Sequence, residues 1–255
     1  MRAQLFSKVR GRGEPLILLH GLFGSSDNLS RVAKELSEEY ETHSLDLRNH
    51  GESFHSEEMN YALMALDIIS YMDNNKIKSA IFLGHSMGGK VAMAMALKYP
   101  ERVINLIVAD IAPVNYKAHH QEIIRALCSV NFDIQNTRRE VDKKLAETIS
   151  DLGIRQFLLK NLYMSEDQKI SWKMNIKGIS ENYVNIQAGM SVDTTFTKPV
   201  LFIAGGLSDY IKPEYKNITL RLFPKAQMKV IADTSHWLHA EKPRIFVNIC
   251  LRFLQ

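Results

Sequence analysis

Short runs of almost uninterrupted apolar residues recur along this chain, separated by segments of helical period. PLILL (15–19), AIFLG (80–84), VINLIVAD (103–110) and KPVLFIAGG (198–206) each lack the alternation of a strand with one wet face. A strand can dispense with a polar face only when it is covered on both sides, as in a parallel sheet between helical layers. The intervening segments 27–39 (DNLSRVAKELSEE, with Asp27 or Asn28 near its N-cap), 61–74 and 89–98 repeat apolar residues with helical spacing. THSLDL (42–47) and QMKVIA (227–232) add two more strands, followed by a closing helix from about Pro243 to Phe253. The alternation predicts an α/β protein.

Between about Pro113 and Thr197 the alternation stops. Amphipathic helical patterns take over, as in HQEIIRALCSV (120–130) and REVDKKLAETISDLGIRQFLLKNLYM (139–164). About 80 residues is too long for a simple crossover, so the stretch reads as a separate helical cap. The expected division is a core of residues 1–112 and 198–255 with a cap of 113–197. Strand grammar resumes after it, and a further helix starts near Lys212.

Composition narrows the function classes. With 45% apolar and 24% charged residues the chain has the proportions of a globular protein. The net charge of +4 comes from Lys and Arg scattered along the sequence, without the stripe a nucleic-acid partner requires. No segment approaches the roughly 20 apolar residues of a membrane span, and MRAQLFSKVRGRGE lacks a signal-peptide core. Cys128 and Cys250 are too few and too far apart for a disulfide framework, which suits a reducing, cytoplasmic location.

The chemistry is most legible in Gly84-His85-Ser86-Met87-Gly88-Gly89, which follows the apolar run AIFL and precedes an Ala- and Met-rich helix. A G-x-S-x-G string between strand and helix is a nucleophile elbow: a sharp turn that lifts the serine hydroxyl to the edge of a sheet. Glycines on either side remove the side chains that such a turn would drive together. The following helix offers its positive end to charge developing on a substrate oxygen.

A serine hydroxyl needs a base. His236, in ADTSHWLHAEKP after the last strand, is placed to reach the elbow from the sheet's carboxyl edge. His239 competes by proximity but reads as the start of a helix facing elsewhere; His20 and His85 flank backbone turns, and His119 and His120 fall in the cap. The acid that orients the base is either Asp110, at the end of VINLIVAD, or Asp209, in AGGLSDY, and spacing leaves both open. Ser208 is close enough in sequence to support the site. An oxyanion hole needs two backbone N–H donors. Met87 supplies one, and the loop His20-Gly21-Leu22-Phe23-Gly24 the other, from Leu22 or alternatively Phe23. The turn DLRNHG (46–51) reads as structural. No metal or cofactor is expected.

The strings LLHGLFGS (18–25), DLRNHGES (46–53), LGHSMGGKVAM (83–93), VADIAPVNY (108–116), GGLSDY (205–210) and HWLHAEKP (236–243) resemble the α/β-hydrolase superfamily, most closely small bacterial YbfF-type esterases. The resemblance implies an eight-stranded, mostly parallel sheet with a cap after the sixth strand. It makes Ser86 the nucleophile and His236 the base, and its D-I-A-P string favours Asp110 as the acid. It also implies hydrolysis of short-to-medium acyl esters, with acyl-CoA thioesters as a second possibility. The fold equally hosts carbon–carbon bond hydrolases, lactonases, perhydrolases and non-catalytic ligand binders. Phe132, Phe157, Leu158, Leu162, Tyr163, Met164 and Trp172 are the apolar cap residues from which two or three acyl-pocket residues are expected. Arg138, Arg139, Lys143 and Lys144 are those a CoA phosphate would meet.

Overall fold

The computed structural model describes residues 4–190 and 193–255; residues 1–3 of the amino-terminal segment and 191–192 of the expected cap lie outside the described residues. The chain runs through β1 (Ser7–Arg10), β2 (Pro15–Leu19), α1 (Ser30–Leu36), β3 (Glu41–Leu45), α2 (Tyr61–Asn74), β4 (Ala80–His85), α3 (Met87–Lys98) and β5 (Val103–Ala109). It then leaves the sheet through α4 (Gln121–Cys128), α5 (Arg138–Ala146), α6 (Leu152–Leu158), a hairpin of β6 (Leu162–Met164) and β7 (Ile170–Trp172), α7 (Ile176–Glu181) and α8 (Tyr183–Gln187). It returns as β8 (Val200–Gly205), α9 (Lys216–Leu222), β9 (Ala226–Ile231), α10 (Leu238–Glu241) and α11 (Pro243–Leu254).

Seven strands form the main sheet in the order β1-β3-β2-β4-β5-β8-β9, and every neighbouring pair is parallel except β1 with β3. The apolar runs are explained by the two layers they feed. Along β2, Ile17 and Leu19 enter the core shared with α2 and α3, whereas Leu16 and Leu18 enter the one shared with α1 and α11. Both faces are therefore dry, and each fully buried Leu or Ile contributes roughly 1.5–3 kcal/mol.

Three expectations are corrected. Among the described residues the sheet has seven strands instead of eight, and the insertion follows the fifth strand instead of the sixth. One cause accounts for both: among the described residues no strand lies outside β1, a four-residue edge strand carrying Lys8 and Arg10, charges that suit an unpaired edge. The helical reading of 139–164 also breaks. The Asp151 side chain accepts the Ile154 N–H at 2.9 Å and starts a new helix, while Arg155 Nη1 takes up the Ile149 and Ser150 carbonyls, both at 2.9 Å. Residues 162–164 then turn into β6. Among the described residues no helix is long and apolar enough to cross a membrane.

Candidate active site

The carboxyl ends of β2, β4, β5 and β8 bring the predicted residues to one edge of the sheet. Ser86 sits between β4 and α3 with φ of 53°, in the left-handed region, and its N–H donates to Ala109 O at 3.0 Å. This turn needs Gly84 and Gly88. A Cβ on Gly84 would lie 2.2 Å from Gly88 O, and one on Gly88 would lie 2.3 Å from Leu19 O. The hydroxyl-bearing residue is 9% exposed and opens onto a cavity of about 270 Å³.

His236 shares the cavity wall with Ser86. Its Nδ1 lies 2.7 Å from Asp110 Oδ2. A carboxylate only accepts, so Nδ1 carries a proton, and in the neutral tautomer this selects, Nε2 keeps its lone pair. Asp110 is fully buried at the end of β5, with φ of 51°. Its Oδ1 accepts the Gly205 N–H at 3.0 Å, and its Oδ2 also accepts the Ser208 hydroxyl. Asp209 makes none of these contacts and is exposed. Ser208 turns its side chain inward, and the next residue along the loop turns out. The imidazole is held on a second side by Tyr210, whose ring stacks on it at 3.9 Å between centroids, 17° from parallel.

Of the two amides read as oxyanion donors, that of Met87 follows Ser86 directly and that of Leu22 belongs to a residue lining the same cavity. Met87 is the first residue of α3, so its N–H has no partner within the helix. In the other loop both Leu22 and Phe23 line the cavity, and the Phe23 N–H donates to His50 Nε2 at 3.2 Å. His50 in turn donates from Nδ1 to Arg48 O at 2.9 Å, and His20 Nε2 accepts the Leu47 N–H at 3.0 Å. The DLRNHG turn and His20 thus brace the Gly21–Gly24 loop. Phe23, at φ of 59°, is a third residue at the site in the left-handed region, a strain that the surrounding bonds sustain.

His85 donates from Nε2 to the His236 carbonyl at 2.8 Å, so it holds the loop that carries the base. His239 does not face away, as helix spacing suggested. It is buried, lies 4.4 Å from the His85 ring between centroids, and lines the cavity, because α10 is a single turn, too short for a helical face to turn it away. Of the expected cap residues, Phe157 and Leu158 line the cavity; Phe132 and Trp172 pack on each other, and Tyr163 and Met164 are exposed. Ile123, Ile154, His119, His120 and Trp237 also line it. Trp237 and Tyr210 adjoin residues already singled out, a signal of proximity. The insertion residues at 119, 120, 123 and 154 carried no such mark. Arg138 donates to Leu159 O and Gln156 Oε1 and Lys144 pairs with Glu147, and neither lines the cavity.

Burial sets the protonation of the supporting histidines. Burial, with His20 nearby, pulls the His50 pKa down to about 3, and burial, with His236 nearby, does the same for His239, to about 3. An unfolded histidine titrates near 6.5, so below that pH the unfolded chain binds protons that the folded chain refuses. Stability should fall as pH drops from about 6.5, by about 2–3 kcal/mol per pH unit from these two groups. For a chain of this size that lowers Tm by roughly 5–10 °C per unit. Thermal melts at stepped pH check this, and His239→Gln should flatten the slope by about one proton's worth. A Tm independent of pH across that range would refute the buried neutral rings.

Comparison with known proteins places this geometry. The family model described as alpha/beta hydrolase fold matches residues 14–243. The chain is 37% identical to esterase YbfF of Escherichia coli K12 over 255 residues, covering 100% of this chain and 98% of the relative. It is 36% identical to the sn-1-specific diacylglycerol lipase ABHD11 of Danio rerio, covering 96% of this chain and 80% of the relative. Among solved structures it is similar to a marine microorganism esterase, with a TM-score of 0.96 and 40% identity, covering 98% of this chain and 99% of that one.

Proposed function

This chain belongs to the alpha/beta hydrolase fold family, and from that premise we propose that it hydrolyses short-to-medium acyl carboxylic esters through Ser86, His236 and Asp110. The observation that carries this reading is the 2.7 Å bond from His236 Nδ1 to Asp110 Oδ2, in the wall of the cavity onto which Ser86 opens. The named activities of the esterase relatives support it. In this reading residues 113–197 act as a cap over a core of 1–112 and 198–255, and the substrate is a small molecule taken up from solution.

Ser86 Oγ attacks the ester carbonyl carbon as His236 Nε2 takes its proton. The carbonyl oxygen becomes an oxyanion held by the Leu22 and Met87 N–H groups. Asp110 keeps the imidazole in the required tautomer and stabilises the imidazolium. The C–O bond to the alcohol then breaks, and His236 returns the proton to the departing oxygen. Water repeats the sequence on the acyl-Ser86 ester, releasing the acid and restoring the hydroxyl. Phe157, Leu158, Ile123 and Ile154 give the acyl chain an apolar surface.

Acyl-CoA thioesters are the finer possibility within this reading. The test is a panel of p-nitrophenyl esters and acyl-CoAs of graded acyl length, combined with fluorophosphonate labelling. The expected result is ester turnover blocked in step with a covalent adduct on Ser86. Active protein that turns over esters without ever labelling at Ser86 would refute the reading. A butyryl-CoA kcat/KM below that for a butyrate ester would limit it to oxygen esters.

A further inference from the structure

One buried charge is unused by this mechanism. Lys90 lies one turn beyond Ser86 on α3, with its N–H on Ser86 O at 3.1 Å. It is 1% exposed, because α3 is covered on all sides, and it takes no part in the ion pairs among the described residues. A buried ammonium without a counter-ion is costly unless every proton finds an acceptor. All three protons of Lys90 do: Nζ donates to Val114 O at 2.8 Å, Gln187 O at 3.1 Å and Ala188 O at 2.5 Å. Two ring faces complete the cage, Tyr116 at 4.8 Å and Tyr61 at 5.6 Å from ammonium to centroid. Burial draws the ammonium's pKa down to about 7.

The acceptors belong to the two chains that form the neck of the insertion. Val114 is on the outgoing chain, four residues past Asp110, and Gln187 and Ala188 are on the returning chain at the end of α8. The two chains pair directly: Tyr116 N–H donates to Gln187 O at 3.0 Å, Met190 N–H to Pro113 O at 3.1 Å, and Gly189 N–H to Asn115 Oδ1 at 2.6 Å. Gly189 permits this approach, since a Cβ there would lie 2.8 Å from Val114 C. The Tyr61 hydroxyl adds a bond to Ile186 O. Beyond the neck lie His119 and His120, which line the same cavity as Ser86.

We propose that Lys90 is a positioning residue for ester hydrolysis: its buried ammonium ties the outgoing and returning chains of the insertion to the helix that carries Ser86, and so sets the cavity wall the insertion supplies. This rests on the ester-hydrolysis reading above. Removing the tie would loosen the wall that binds the acyl group while leaving Ser86, His236, Asp110 and the two oxyanion amides where they are. The loss would therefore fall on substrate binding, and more heavily on long acyl groups than on acetyl.

The test compares wild type, Lys90→Met and Gly189→Val on p-nitrophenyl acetate, butyrate and octanoate. Gly189→Val pries the neck apart at Val114 while keeping the lysine itself. Both variants should raise KM for the octanoate by about 10-fold or more, with kcat within about threefold and a smaller KM change for the acetate. Unchanged KM at every length, or a fall in kcat alone, would overturn the proposal. Hydrogen exchange in the wild-type protein gives a readout that needs neither variant folding nor turnover. The Tyr116 and Met190 amides should exchange within about tenfold of the slowest core amides of β4 and β5. Exchange about a hundredfold faster or more would show a loose neck and overturn it. Absence of ester turnover in wild type would instead count against the ester-hydrolysis reading, which the exchange rates do not depend on.

Discussion

Ser86→Ala should lower kcat for p-nitrophenyl ester hydrolysis by roughly 10⁶-fold, leaving KM within a few-fold of wild type. The magnitude follows from what the substitution removes and what it spares. Without Oγ there is no acyl-enzyme, and His236 has no hydroxyl to deprotonate. The Leu22 and Met87 amides remain, so a residual rate of roughly 10³–10⁴ above water is expected from oxyanion binding alone. Alanine meets the same left-handed backbone at 86 as serine, with φ of 53°, so the fold should not be disturbed. A thermal melt close to wild type would verify that. Turnover above about one hundredth of wild type, in protein shown free of contaminating esterase, would place the nucleophile elsewhere.

Asp110→Asn should cost about 10⁴-fold in kcat, and Asp209→Asn should cost almost nothing. The hydrogen-bond pattern around Asp110 explains why an isosteric amide is so damaging. Oδ1 accepts the Gly205 N–H, a fixed backbone donor, so the oxygen of the substituted amide must stay on that side. The NH₂ group then faces His236 Nδ1 and can only donate. That forces the ring into the opposite tautomer, with its proton on Nε2, where it cannot accept from Ser86. Ser208 can follow by rotating its hydroxyl from donor to acceptor. The fold should therefore survive while the base is disabled. Equal losses in the two variants, or a loss confined to Asp209→Asn, would reverse the assignment of the acid.

Local patterns carried much of the architecture. PLILL became β2 over the same residues, 15–19, and 61–74 became α2, with Asn60 accepting the Leu63 N–H at 2.9 Å as its cap. These are elements whose periodicity and end signals agree. The hairpin of β6 and β7 and the break at Asp151 were missed, because a helical period across 139–164 does not register where capping competes with continuation. β1 escaped notice because SKVR is short and only half buried, so it lacks the apolar run that marked the others. Lys90 did leave a trace: it is the one charge inside GGKVAMAMAL, a segment otherwise free of ionised groups.

Features that depend on neighbours along the chain were legible in the residues alone: the elbow at Ser86, the glycines that permit it, the loop carrying Leu22, and the alternation that lays strands side by side. The folded molecule was needed to show which of Asp110 and Asp209 bonds to His236, to show that the Phe23 amide is taken by His50, and to show where the Lys90 ammonium goes. Both aspartates follow a strand by the same local grammar, but a hydrogen bond from a ring 126 positions away forms with whichever carboxylate points across the sheet edge. That direction is set by the parallel pairing of β5 with β8, which holds Asp110 against Gly205. Lys90 likewise finds its acceptors up to 98 positions away. Propensity and periodicity act over a few residues, whereas these choices are made by packing between segments that meet only after the chain has folded.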